Sequence, residues 1–507
     1  MPARNIPCRL GIVGGLGSLG AADLFFKLVQ ALPCGTADEQ AELIFEQHPF
    51  REGARPGDAS ASQNGRKLHV FDMIRAFESR VDAVVLPCFI SHTFIDELKG
   101  EVRLPIIDLM EALRSDVARR HPGVRRLGIV TSDYVRGNGL FERYLPAGTW
   151  ELLYPRGDLQ EKCVMAAIYG PQGIKTGHLQ GDSVELLARA CRDLLDQGAE
   201  LIVPGFAEIP VIIDALRGRG IPILDANRIY ASHAVSHPAL QAARPFKVGV
   251  VGGVGPAATV DFLAKIVRNT PAGRDQEHLK VVVEQNPQIP DRTDNLLHAG
   301  ADPTIALYST CKRLEACDAD VIAIPCNTAH AFVERIQPYL SIPIVDMLFE
   351  TVEHIRSRFP DRRRIGLLAT SGTVGSRVYH DAAARNGLEL LVPDDESQRL
   401  VTAAIYGPRG VKAGFTNGPC REELLSALEA LVERGAEVII LGCTELPLLL
   451  QQSDDFPVGG RTVAIVDPTD ILARKCIDLG KPAAGQESLA AGMEWTRAAL
   501  NGAPARC

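Results

Sequence analysis

The sequence predicts an α/β fold built twice: two tandem domains, each of two facing α/β lobes with mainly parallel sheets and a cleft between the lobes. Three observations predict it. Short runs rich in Val, Ile and Leu alternate with stretches whose apolar residues recur every three to four positions. The runs are apolar almost throughout, as in parallel strands covered on both faces. The whole pattern is also written twice, 237–238 residues apart, too long a period for a solenoid.

The elements follow in order. LGIVGGLGSLGAADLFFKLV (10–29) matches VGVVGGVGPAATVDFLAKIV (248–267), a strand, a glycine turn and a helix. FEQHP (45–49) and VEQNP (283–287) end the next strand. DAVVLPCFISHTF (82–94) matches DVIAIPCNTAHAF (320–332), and LPIIDLM (104–110) matches IPIVDML (342–348). AAIYGPQGIKTG (166–177) matches AAIYGPRGVKAG (403–414), and GAELIVPGFAEIP (198–210) matches GAEVIILGCTELP (435–447). In the second half, 248–251, 280–284, 321–325, 342–346, 365–370, 388–393 and 437–442 read as strands, and 257–269, 304–318 and 421–435 as helices. Each half has two strands ending in a Cys-type motif, at 88 and 206 and at 326 and 443, which suggests two similar lobes per half. The domains are 1–243 and 244–480, joined near QAARPF (241–246), with a C-terminal extension at 481–507 that reads as a short helix and a loose end.

Composition narrows the function. The net charge of −8 and scattered basic residues leave no nucleic-acid footprint. No stretch supplies the ~18 consecutive apolar residues of a membrane span, and the N-terminus does not read as a signal peptide. Twelve cysteines without a CxxC fit a cytoplasmic protein with reduced thiols.

Two cysteines stand apart. Cys326 in AIPCNTAH and Cys443 in ILGCTELP each end an apolar strand where a polar helix start follows. Ligands of parallel sheets sit at those strand ends, and a helix N-terminus lowers a thiol pKa. A lone cysteine is usually core, but a pair built the same way in two lobes suits acid–base work, one thiolate removing a proton from carbon and the opposite thiol returning one. Metal binding would need three or four ligands. Arg292, in the Pro-rich NPQIPDRT, and Lys412, between glycines in GPRGVKAG, are candidates to hold a carboxylate. The turns GGLGSLG and GGVGPAA, with Glu46 and Glu284 ending the next strand, keep a dinucleotide-binding reading open, below that of a small carboxylate.

GVVGGVGP, EQNPQIPDRT, IPCNTAHAF, LLATSGTV, GVKAG, ILGCTELPLLL and VDPTDILA resemble the aspartate racemases of the aspartate/glutamate/hydantoin racemase superfamily, over essentially all of 247–475. Glutamate racemases typically carry His after Cys-Thr, and Glu445 stands there instead, as in the aspartate type. The resemblance implies a racemase of aspartate or glutamate that needs neither pyridoxal phosphate nor a metal. It implies that Cys326 and Cys443 are the two bases, that Arg292 and Lys412 hold the substrate carboxylates, and that Asn327, Thr328 and Thr444 bind the amino-acid end. Thr370, Thr373 and Glu445 would belong to the same site.

The first half resembles the same family but departs at the site. Cys88, Lys175 and Glu208 persist, Phe89-Ile90 replace Asn-Thr, and Phe206-Ala207 replace Cys-Thr. Arg51 and Arg55 are only loose counterparts of Arg292. Phe206 has no titratable proton, so this half is expected to be inactive as a racemase and to serve as a built-in pseudo-subunit; homo-oligomers also remain open. Rival readings are a related cysteine-dependent isomerase or decarboxylase acting on a small carboxylic acid, a duplicated small-molecule binding module, and a nucleotide-dependent enzyme.

Overall fold

In a computed structural model of the chain, residues 9–32, 42–50, 59–236 and 245–481 are described, the side chains of 59–63 excepted. Arg51, Arg55, most of the 241–246 join and the extension from 482 lie outside the described residues. The chain divides into two units, Met1–Arg244 and Pro245–Cys507.

The first unit holds two sheets. β1 (Arg9–Val13), β2 (Glu42–Glu46), β3 (Ala83–Val85) and β4 (Ile106–Ile107) pair in parallel in the order β2-β1-β3-β4. β5 (Arg126–Thr131), β6 (Glu151–Leu153) and β7 (Leu201–Gly205) form a second parallel sheet, β6-β5-β7. The second unit repeats the plan. β8 (Lys247–Gly252), β9 (Lys280–Gln285) and β10 (Val321–Ala323) pair as β10-β8-β9. β11 (Arg364–Leu368), β12 (Glu389–Leu391), β13 (Val438–Leu441), β14 (Ser453–Val458) and β15 (Arg461–Val466) pair as β12-β11-β13-β15-β14. Only β14 runs antiparallel to its neighbour. The 342–346 run, expected to be a strand, makes a single bridge between Ile322 and Ile344. Its polypeptide turns at once into the helix Met347–Arg358, capped by Asp346 through the Leu348 and Phe349 amides.

That cap recurs. Asp108 caps the helix Leu109–Arg120 and Asp467 the helix Pro468–Leu479 in the same way. Each satisfies amides the helix cannot, for about 1 kcal/mol. The strands β3, β10 and β13 are buried along their whole length, which is why they read as unbroken apolar runs. A buried lysine ties the lobes of each unit. Lys265 meets Asp467 at 2.5 Å, with Asp261 and Thr469 also in contact. Lys27 meets Asp225 at 2.8 Å and Asp23 at 2.7 Å.

The shift in repeat spacing has a local cause. Gln160 and Gln398 donate equivalently to the carbonyls of Thr131 and Ala369, yet Tyr169 and Tyr406 are one residue closer in register. The first unit absorbs the extra residue as a π-helical stretch, Gln160–Met165, where the second has one α-helix, Asp395–Tyr406. Among the described residues, no helix is long and apolar enough to cross a membrane.

Candidate active site in the second unit

Cys326 follows β10 after Ile324-Pro325, and Cys443 follows β13 after Gly442. The two strands belong to different sheets, and both thiols line one cleft enclosing about 310 Å³ of empty space. Each cysteine is 6 % exposed.

Around Cys326 the cleft presents donors without acceptors. Arg292 opens the short helix Arg292–His298, capped by Asp291. Its Nη1 donates to the Ile289 and Pro290 carbonyls at 3.3 and 3.1 Å. Among the described residues, its buried Nε has no hydrogen-bond acceptor. Burial alone would ease its proton off, but neighbouring Cys326, a hydrogen-bond partner, and Asp291 outweigh that and hold the guanidinium charged. Asn327 accepts from the Tyr379 hydroxyl at 2.6 Å through Oδ1, while its buried Nδ2 has no partner. A buried donor left unpaired costs about 1–3 kcal/mol, so two beside one thiol mark a place for an acceptor-rich ligand such as a carboxylate.

Thr328, Thr370 and Thr373 form a hydroxyl triangle, with Thr328 to Thr373 at 2.7 Å, Thr370 to Thr373 at 3.1 Å and Thr328 to Thr370 at 3.2 Å. Thr328 and Thr370 line the cleft; Thr373 stands behind them and does not. Behind Cys326, the Met347 amide donates to His330 Nε2 at 3.2 Å. Nδ1 therefore carries the hydrogen and donates to the Cys326 carbonyl at 2.9 Å, fixing the turn that carries the thiol.

The second thiol has different company. Cys443 Sγ donates to Glu445 Oε2 at 3.0 Å, and Glu445 Oε1 accepts from Lys412 at 2.6 Å. Burial first, and then the Glu445 charge, push the Cys443 thiol well up, with Lys412 pulling the other way. The expectation that a helix start would lower the thiol pKa therefore does not hold at Cys443, because burial beside a carboxylate outweighs the backbone donor. Burial would lower Lys412, yet Glu445 and Cys443 outweigh it and raise it. Tyr406 lies beneath the Lys412 ammonium, 5.5 Å from ring centroid to Nζ. Its hydroxyl is pushed up to about 12, chiefly by burial.

Asn327 stands at the start of the helical turn Thr328–Phe332, as the sequence suggests, but its side chain makes no cap bond and accepts from Tyr379 instead. Lys412 was read as free to point at a ligand, and its ammonium is engaged by Glu445. Glu445 also bears on the dinucleotide reading. At Gly255, where φ is 122°, an added Cβ would lie 2.6 Å from Glu445 Oε1. A carboxylate thus occupies the notch above the glycine turn where a pyrophosphate would sit. Glu284 pairs with Arg313 at 2.8 Å. Sequence reading missed Thr293, Tyr379 and Tyr406. Thr293 adjoins Arg292 and hydrogen-bonds Thr370 at 3.4 Å, and Tyr406 lies in the twice-written AAIYGP. Tyr379 carries no local signal.

The same positions of the first unit are filled differently. Phe206, buried, meets Tyr169 edge-on at 6.1 Å. Phe89 and Phe141, at the positions of Asn327 and Tyr379, stack at 6.0 Å. Both partners of a buried hydrogen bond have become a matched apolar pair, a replacement that leaves no orphaned group. Ile90 and Val135 stand where Thr328 and Thr373 stand, and Ser132 replaces Thr370. Lys175 keeps Glu208 at 3.1 Å and donates to the Leu16 carbonyl at 3.0 Å. Half-buried Cys88 is raised, chiefly by burial, with Lys175 lowering it and Glu208 raising it.

Both halves of the chain are similar to known proteins. The family model described as Asp/Glu/Hydantoin racemase matches residues 13–234 and again 251–476. The broad specificity amino-acid racemase RacX of Bacillus subtilis is 26 % identical over 241 residues, 45 % of this chain and 96 % of that protein. An uncharacterized protein in the pnlA 3′ region of Pectobacterium carotovorum is 36 % identical over 138 residues, 27 % of this chain and 83 % of that one. Among solved structures, the Picrophilus torridus aspartate racemase is 26 % identical with a TM-score of 0.41, covering 46 % of this chain and 94 % of that one.

Proposed function

The chain belongs to the Asp/Glu/hydantoin racemase family, and from that premise we propose that its second unit racemises an amino acid at Cα with Cys326 and Cys443 as opposed bases. One thiolate takes the Cα proton as the C–H electron pair moves into the carboxylate. The opposite thiol then gives its proton to the other face, leaving the two cysteines with their protonation exchanged. The observation that carries this reading is the pair of thiols on one small cleft, with Arg292 Nε and Asn327 Nδ2 unpaired beside it. Those donors would meet the α-carboxylate, where negative charge develops as the proton leaves. Two thiols favour racemisation over a one-sided protonation.

Aspartate and glutamate are the proposed substrates. Arg292 and Lys412 supply two cations in the cleft, although a second carboxylate must compete with Glu445 for Lys412. The first unit, with Phe206 in place of the second thiol, is proposed to be silent in this reaction.

The test is solvent-deuterium exchange at Cα across L- and D-amino acids. The parent should exchange both enantiomers of its substrate. Cys326→Ser and Cys443→Ser should each lose racemisation by about 10²–10⁴-fold and exchange only one enantiomer, opposite in the two variants. A parent that exchanges no amino acid sinks the proposal.

A further inference from the structure

The two units treat one sheet edge in opposite ways. In the second unit, Ile439 of β13 pairs with Ile465 of β15, and the outer side of β15 is covered by antiparallel β14, with Ser453 opposite Ile465. In the first unit, Ile202 of β7 pairs with Ile223, the same register position, in a single bridge. No counterpart of β14 is found there among the described residues. Among the described residues, the Ile223 carbonyl is held by the Arg217 guanidinium alone, at 3.0 and 3.3 Å.

Where β14 would lie, a groove enclosing about 1,330 Å³ of empty space runs past Leu201 and Ile221–Leu224. Its charged lining is four cations, Lys27, Arg120, Arg217 and Arg228, against Asp116 and Asp225. Lys27 is committed to Asp23 and Asp225. Arg120 pairs with Asp116 at 3.0 Å and Arg228 with Asp225 at 3.6 Å, yet both arginine side chains stay 61 % exposed, so their outer donors can still meet an incoming carboxylate. Arg120 is the last residue of the helix Leu109–Arg120, as Arg358 is of the repeated helix Met347–Arg358. Arg358 donates to Asp454 of β14 at 2.5 Å. The second unit therefore holds, within its own chain, the kind of strand that the first unit's edge lacks: extended and acidic, with its Asp on that arginine.

We propose that the groove of the first unit binds an acidic, extended segment of a partner protein, added antiparallel to the Ile221–Leu224 edge. Main-chain bonds to the edge give such strand addition its affinity. The arginines select acidic side chains, and Arg217 releases the Ile223 carbonyl as the strand enters. Until then Arg217 blunts an edge that would otherwise pair indiscriminately.

The probe is a fluorescein-labelled peptide of the β14 sequence, QQSDDFPVGG, titrated with the full-length chain and read by anisotropy. Saturable binding is expected. QQSKKFPVGG should bind about tenfold or more weakly, a difference of ~1.4 kcal/mol. Arg120→Glu should weaken the parent peptide by a similar factor, read at a temperature where the thermal melt shows the variant still folded, because Asp116 loses its partner in it. A peptide N-methylated at alternate amides should not bind. Absence of binding, equal binding of both peptides, or binding that survives N-methylation would overturn the proposal. So would displacement by inorganic phosphate at constant ionic strength, which would make the groove a small-anion site. Self-association that Arg120→Glu abolishes in sedimentation runs would assign it to a second copy of the chain and overturn it as well.

Discussion

Cys326 and Cys443 end equivalent strands, yet a guanidinium faces one and a carboxylate the other. Glu445 is the residue that separates them. Removing its charge with Glu445→Gln takes away a cause that raises Cys443 and leaves Lys412, which lowers it, uncompensated. In the direction where Cys443 is the base, activity rises as that thiol ionises. The rising limb of the kcat/KM profile should therefore move to lower pH in Glu445→Gln and to higher pH in Lys412→Met, and identical profiles would refute this account. Tyr379→Phe should act more gently. It leaves Asn327 Oδ1 without its buried donor, costing about 1–3 kcal/mol of stability. KM should rise more than kcat falls, because Asn327 loses its orientation while both thiols remain.

Turns and buried ties set these side chains at the scale of elements. The β8-to-helix turn passes Glu445 so closely that Gly255→Ala would place a methyl against its carboxylate, at a φ of 122° that L-residues rarely adopt. A loss of roughly 1–2 kcal/mol of stability should come with a fall in racemisation and a shifted pH profile. Gly17→Ala, at the equivalent turn of the first unit, should leave racemisation unchanged. The lysine ties answer a different measurement. Lys265→Met leaves the Asp467 carboxylate buried without its cation. Breaking one side of such a pair costs about 3–5 kcal/mol, so the midpoint of urea unfolding should fall markedly, with Lys27→Met matching it in the first unit through Asp225. The spacing change from 238 to 237 was visible in the sequence, but its cause was not. A π-helical stretch satisfies its backbone as an α-helix nearly does, so Gln160–Met165 carries no composition that sets it apart.

Duplication lets the whole molecule serve as its own control. The second unit keeps its polar cleft, and the first has exchanged that cleft for aromatic packing while keeping the Lys175–Glu208 pair. If the first unit is silent, Cys88→Ser should leave the racemisation rate within error of the parent. Adding Phe206→Cys and Ala207→Thr to a Cys443→Ser chain should not restore racemisation, because Phe89, Phe141, Ile90 and Val135 would still exclude the substrate's polar end. Recovery of activity by those two changes alone would overturn the silent-unit reading.

The tandem repeat, the mainly parallel α/β plan and the two thiols at strand ends were all readable from residue order, through apolar period, repeated phrases and short motifs. Arg292 was legible as a cation in a Pro-rich loop, and Asn327 and Thr328 through the family resemblance of IPCNTAHAF. The tertiary structure alone decided what each polar atom is free to do. Lys412 meets Glu445 across 33 residues and Tyr379 meets Asn327 across 52, so neither commitment leaves a local trace. The uncovered edge at Ile223 was hidden in the same way, because a missing neighbour strand is a fact about space and the chain's order does not record it.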